Sequence, residues 1–161
     1  MNIKNIECLA LKFRKAIEIA YQKGLFFREQ PFANFPRGCC GDTSDLLGEY
    51  LLEHGIRTKY VCGTYRYDDF DNIYSHAWLE INGRIVVDIT ADQFKWNPLF
   101  QNVPTPSCYV GERNDFYRLF EVEPYQCRDF WGLDAFSELC VGRMRKLYDR
   151  IKQFVDYSET L

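Results

Sequence analysis

Apolar residues recur at helical spacing over residues 6 to 21, where Ile6, Leu9, Ala10, Phe13, Ile17, Ala20 and Tyr21 fall on one face. Gly24 is the predicted stop. The period is lost over residues 25 to 39, which hold two prolines and four phenylalanines and read as a packed, irregular loop. It resumes near Cys40 and predicts a second helix to about Glu53, burying Leu46, Leu47, Tyr50 and Leu51. Gly55 ends that helix at the C′ position.

The pattern then shifts to strands. Residues 58 to 66 are rich in β-formers, and an acidic loop, Asp68-Asp69-Phe70-Asp71-Asn72, separates them from a strand over Ser75 to Ile81. Asn82-Gly83 is a two-residue hairpin signal leading into a third strand, Arg84 to Asp88. Residues 96 to 106 read as loop, a further strand is expected near Tyr117 to Val122, and a long two-faced helix runs from about Asp134 to Val155. No repeat, low-complexity tract or linker breaks the chain. One domain over residues 1–161 and an α+β class are therefore expected.

Composition narrows the function classes. The chain is 47% apolar, with 17% aromatic residues, which is a globular composition. A net charge of -3 with no basic run argues against nucleic acid or an anionic membrane as partner. Seven cysteines are an odd number, and the first segment, carrying Lys4, Glu7, Lys12, Arg14, Lys15 and Glu18, is an amphipathic helix and not a signal sequence. Reduced thiols and a cytoplasmic location are expected.

Three short segments carry the candidate chemistry: Gly38-Cys39-Cys40-Gly41-Asp42, then His76-Ala77-Trp78-Leu79-Glu80, then Asp88-Ile89-Thr90. They offer a thiol, an imidazole and a carboxylate. A thiol becomes a nucleophile as its thiolate, which a helix N-terminus and a nearby imidazolium both favour. Cys40 stands where loop becomes helix and gains the first effect. The chain has two histidines. His54 precedes Gly55 at a helix end and reads as a cap or surface residue, whereas His76 stands on a strand beside the one that carries Asp88. Zinc is not expected, because the Cys-x-x-Cys spacing of structural sites is absent, and no cofactor is implied.

Measured from Cys40, Gly38, Asp42, Ser44, Leu46 and Gly55-Ile56 resemble the Gly-x-Cys helix of the transglutaminase-like, papain-like superfamily of cysteine peptidases. Counting from Cys39 loses every one of these matches, so Cys39 reads as a structural neighbour. His76-Ala77-Trp78-Leu79-Glu80 is similar to the family's His-Ala-Trp-x-Glu strand, and Asp88-Ile89-Thr90 to its Asp-x-Thr. The resemblance covers about residues 36 to 92. It implies that N-terminal and catalytic helices pack on an antiparallel sheet closed by the long C-terminal helix. It also implies acyl transfer through a thioester, with Cys40 as nucleophile, His76 as base and Asp88 orienting it.

Water as acyl acceptor gives a peptidase or amidase; an amine acceptor gives a transglutaminase, and glutamine hydrolysis a deamidase. Small bacterial members, leader-peptide peptidases among them, favour water and a peptide or protein substrate. A non-catalytic peptide-binding module that keeps the fold is the alternative of another class.

Three further readings bear on geometry. A two-residue turn at Asn82-Gly83 sets Ile89 opposite His76, so a shift or bulge is needed to bring Asp88 to the imidazole's face. The Cys40 backbone N–H is one oxyanion donor, and Asn34 or Gln30 is the candidate second, since the indole that the family often uses upstream is missing here. Trp78 reads as core, Glu80 as a strand-edge charge, and Asp92 and Gln93 as turn residues.

Overall fold

The computed structural model describes residues 2–68 and 73–159, so most of the acidic loop, residues 69–72, lies outside the described residues. Five strands form one antiparallel sheet in the order β4-β3-β2-β1-β5. They are β1 (Lys59–Arg66), β2 (Ile73–Ile81), β3 (Ile85–Asp88), β4 (Tyr109–Glu112) and β5 (Cys127–Asp129). Three long helices, α1 (Ile3–Gln22), α2 (Cys40–Glu53) and α4 (Glu138–Lys152), pack together on one face.

The helical side is held by the faces that the sequence pattern marks. In α1, Ile6, Leu9, Ala10, Phe13, Ile17 and Ala20 are buried, but Tyr21 is exposed. Arg14, on the same buried face, is unexpected there. In α2, Leu46, Leu47, Tyr50 and Leu51 are all buried, each worth roughly 1.5–3 kcal/mol of transfer free energy for the larger side chains. Gly55, at φ +74°, ends the helix. Its N–H bonds the Leu52 carbonyl at 2.9 Å and that of Ile56 bonds the Leu51 carbonyl at 2.9 Å, a Schellman pair.

The opposite face is covered by the irregular chain between residues 90 and 122, whose aromatic side chains form a second cluster with Val61, Trp78 and Val86. The strand expected near Tyr117 to Val122 is instead a short helix, α3 (Asp115–Arg118), followed by a single antiparallel bridge between Thr64 and Glu121. Phe116, Tyr117 and Phe120 repeat at the helical spacing and all three are buried, which explains the misreading of β-rich composition. Gly63 makes the covering possible: a Cβ there would stand 2.7 Å from the Phe120 Cβ.

Two other expectations change. The C-terminal helix begins at Glu138, after a 3-10 turn at Leu133–Ala135, and not at Asp134. Strands β4 and β5, each of three or four residues, carry too short a pattern to be read from sequence.

Candidate active site

The β2–β3 hairpin decides whether an imidazole and a carboxylate can meet. Asn82 and Gly83 both take positive φ, and the Arg84 N–H bonds the Ile81 carbonyl at 3.1 Å. The ladder resumes only at Ile85, which faces Ile81, so Arg84 is an extra residue in the turn. The expected two-residue turn is therefore one residue too short. With Glu80 facing Val86, residues of even number on β2 and β3 share a face, and His76 and Asp88 fall together on it.

There His76 Nε2 lies 2.7 Å from Asp88 Oδ2. Both residues are buried. Asp88 accepts three more bonds: Tyr117 O–H at 2.9 Å on Oδ2, and Thr90 N–H and O–H at 2.8 and 3.1 Å on Oδ1. All four donors favour its charged form. Burial pushes the Asp88 carboxyl up, but His76, Thr90 and Tyr117 outweigh it and hold it below its ordinary value. Burial likewise pushes the imidazole down; the Asp88 carboxylate and Cys40 outweigh it and raise His76 to about 9. Phe94, Phe116 and Phe120 ring the imidazole with centroids at 5.3, 5.5 and 5.6 Å, fixing its plane.

The twin cysteines part company at the start of α2. Cys39 is the N-cap residue, buried, with its thiol donating to the Pro36 carbonyl at 3.2 Å. Burial pushes that thiol up to about 12, which leaves it inert. Cys40 is the first helical residue and half-buried. Burial pushes its thiol up too, but hydrogen bonds from His76, the Ala77 N–H and the Gln93 side chain hold it below its ordinary value. Small residues let α2 seat this closely on the sheet: Ser44 is buried, and a Cβ at Gly41 would meet the Tyr60 hydroxyl at 3.2 Å.

The family model of the transglutaminase-like superfamily matches residues 2–99, which is more than half of the chain. This chain belongs to the transglutaminase-like superfamily. No curated protein and no solved structure matches it. The superfamily is one of cysteine-dependent acyl transfer and peptide hydrolysis. The α+β class and antiparallel sheet expected from the resemblance are those observed.

Within this superfamily frame, the structure brings Cys40, His76 and Asp88 together, and among the described residues neither the Asn34 nor the Gln30 side chain hydrogen-bonds to any of the three. Asn34 ends the 3-10 turn Phe32–Asn34, in which Phe32 turns inward, and Phe35 follows it into the core. The exposed Asn34 side chain lines a cavity of about 650 Å³ with Tyr21, Pro31, Phe35, Arg37 and Gly38. Gln30 is exposed and meets Arg143 through its carbonyl at 3.0 Å. His54 caps α2, its Nδ1 donating to the Tyr50 carbonyl at 2.7 Å. Glu80 is no strand-edge charge: β2 is the central strand, and Glu80 is buried, accepting from the Trp78 indole at 3.0 Å and Arg113 at 2.6 Å.

Asp92 and Gln93 do lie in a turn, the 3-10 segment Ala91–Phe94, but each has a partner in or beside the site. Gln93 Nε2 is 3.2 Å from His76 Nδ1, and its Oε1 accepts the Gly38 N–H at 3.4 Å. Asp92 takes the Arg14 guanidinium in a fork at 2.8 and 2.7 Å. Only their position, directly after the Asp88-Ile89-Thr90 segment, hinted at this. Among the described residues no group of three or more His, Cys, Asp or Glu side chains could hold a metal ion, and no helix is long and apolar enough to cross a membrane.

Proposed function

We propose that this protein hydrolyses a peptide or amide bond by acyl transfer through a thioester on Cys40. The observation that carries this reading is the buried imidazole of His76, tied through Nε2 to Asp88 at 2.7 Å and holding the Cys40 thiol below its ordinary value.

His76 takes the thiol proton, and the thiolate is favoured by that imidazolium and by the N-terminus of α2. Cys40 Sγ attacks the carbonyl carbon, and the displaced electron pair rests on the oxygen, where the unpaired Cys40 N–H donates to it. The carbonyl re-forms, and the C–N bond breaks as His76 protonates the leaving amine. The same imidazole then deprotonates a water that attacks the thioester, and Cys40 is released. Asp88 accepts the Nε2–H hydrogen bond throughout and so presents the other nitrogen to the sulfur. A peptide or protein is the proposed substrate.

The test is competitive labelling with iodoacetamide near pH 6, read thiol by thiol by peptide mass mapping. Cys40 is expected to react well ahead of the six other thiols. In His76→Ala that advantage is expected to vanish. A Cys40 that reacts no faster than the rest sinks the enzyme reading and leaves the non-catalytic peptide-binding module. Incubating an acylated enzyme with a primary amine then separates acceptors. Release of free acid supports hydrolysis; stoichiometric amide formation at low amine overturns it in favour of a transglutaminase.

A further inference from the structure

We propose that Gln93, rather than Asn34 or Gln30, supplies the second hydrogen bond to the oxyanion. The inference rests on Cys40 being the nucleophile and identifies a further group that touches the reacting atoms.

Both ends of the Gln93 amide are specified. The Gly38 N–H bonds Oε1 at 3.4 Å, which turns Nε2 inward, 3.2 Å from His76 Nδ1, and the amide favours the charged form of Cys40. In the neutral imidazole Nε2–H has Nδ1 as an acceptor. Once His76 takes the thiol proton, Nδ1 carries a hydrogen and no longer accepts. The acceptor left to Gln93 is then the negatively charged sulfur. As the sulfur adds to a carbonyl, that charge moves onto the carbonyl oxygen, about 3 Å away, and a donor already serving the thiolate is handed to the oxyanion. The Cys40 N–H, at the open end of α2, faces the same developing charge.

The support behind Gln93 is stiff, as such a donor requires. Its turn is flanked by Ala91 and Phe94, both buried. Asp92 is forked to Arg14, and the same guanidinium bonds the Ile89 carbonyl at 2.6 Å and the Ser107 carbonyl at 3.2 Å. Gln93 itself is only half-buried, so its replacement leaves the core intact.

Two probes separate an oxyanion donor from a residue that merely helps to form the thiolate. With p-nitrophenyl acetate, Cys40 Sγ bonds the carbonyl carbon, the π pair moves to oxygen, and collapse expels p-nitrophenolate to leave acetyl-Cys40. With iodoacetamide, Sγ displaces iodide at a saturated carbon and no oxyanion forms. Rate constants for Cys40 are measured with both probes across pH, and the plateaus are compared.

In Gln93→Met the acylation plateau is expected to fall at least about 10-fold, toward the 10²–10³ loss seen when an oxyanion donor is removed. The alkylation plateau should stay within about twofold, since it needs no such donor. An unchanged ratio of the two, whether both fall or neither does, overturns the role. A wild-type Cys40 without preferential alkylation instead sinks the nucleophile reading beneath it. A thermal unfolding curve for Gln93→Met matching wild type excludes a folding defect, and Gln93→Glu, which keeps the length but loses the N–H, is expected to repeat the loss.

Discussion

Charge at single residues sets how the site titrates. Asp88 holds the buried imidazole up at about 9, and that imidazolium in turn holds the Cys40 thiol below its ordinary value. As pH rises, the thiolate therefore forms early, while His76 keeps its proton until near pH 9. The Cys40 alkylation rate is expected to reach its plateau at a lower pH than those of Cys62 and Cys108, whose thiols burial pushes up. In Asp88→Asn the raising charge is gone and burial dominates, so the imidazole becomes neutral earlier and the Cys40 midpoint moves up. A chain with only two histidines lets proton NMR follow His76 directly. That Cys40, His76 and Asp88 would lie together was legible because each sits in a short motif. The contacts of Gln93 and Tyr117 with His76 and Asp88 were not, because they arise from where a turn and a short helix land after folding.

Elements succeed or fail by how they are tied. Arg14 links α1 to the turn after β3 and, unusually for a helix-face charge, does so from a buried position. Replacing it by methionine strands Asp92 and the Ile89 carbonyl. The expected cost is about 3 kcal/mol, the low end for breaking a buried pair because Asp92 is 19% exposed. By contrast, Arg84 and Glu112 form an ion pair with side chains 75% and 64% exposed, so Arg84→Ala should change stability by less than about 1 kcal/mol. Urea unfolding of the two variants checks the ranking; equal losses would contradict it. The same two arginines mark the limits of sequence reading. Arg14 stood out from the other charges of the first helix in no way, since periodicity shows which face is apolar but not which charge crosses it. Arg84 looked like the first residue of a strand, although Asn82-Gly83 correctly marked the turn. One residue of turn length decides which face Asp88 occupies, and local propensity does not encode it.

The whole molecule is a sheet with two unlike coverings, packed helices on one side and a largely aromatic cluster from irregular chain on the other. The family match ends at residue 99, yet Phe116, Tyr117 and Phe120, which enclose the imidazole, come later. So do Met144, Leu147, Tyr148 and Ile151 of α4, all buried. A fragment ending at residue 99 should therefore lack both the helical closure and the wall around His76. Circular dichroism is expected to show it unfolded, with Cys40 no more reactive than any other thiol; selective labelling in the fragment would show that the later segment is dispensable. The aromatic covering has one further effect. Trp78 is wholly buried with its ring 5.8 Å from that of His76, whereas Trp96 and Trp131 are 78% and 68% exposed. A charged imidazole quenches a neighbouring indole, and an indole shut away from water emits at the blue edge of the spectrum. The protein thus carries a built-in optical indicator, in which blue-edge emission reads the charge on His76 without a label.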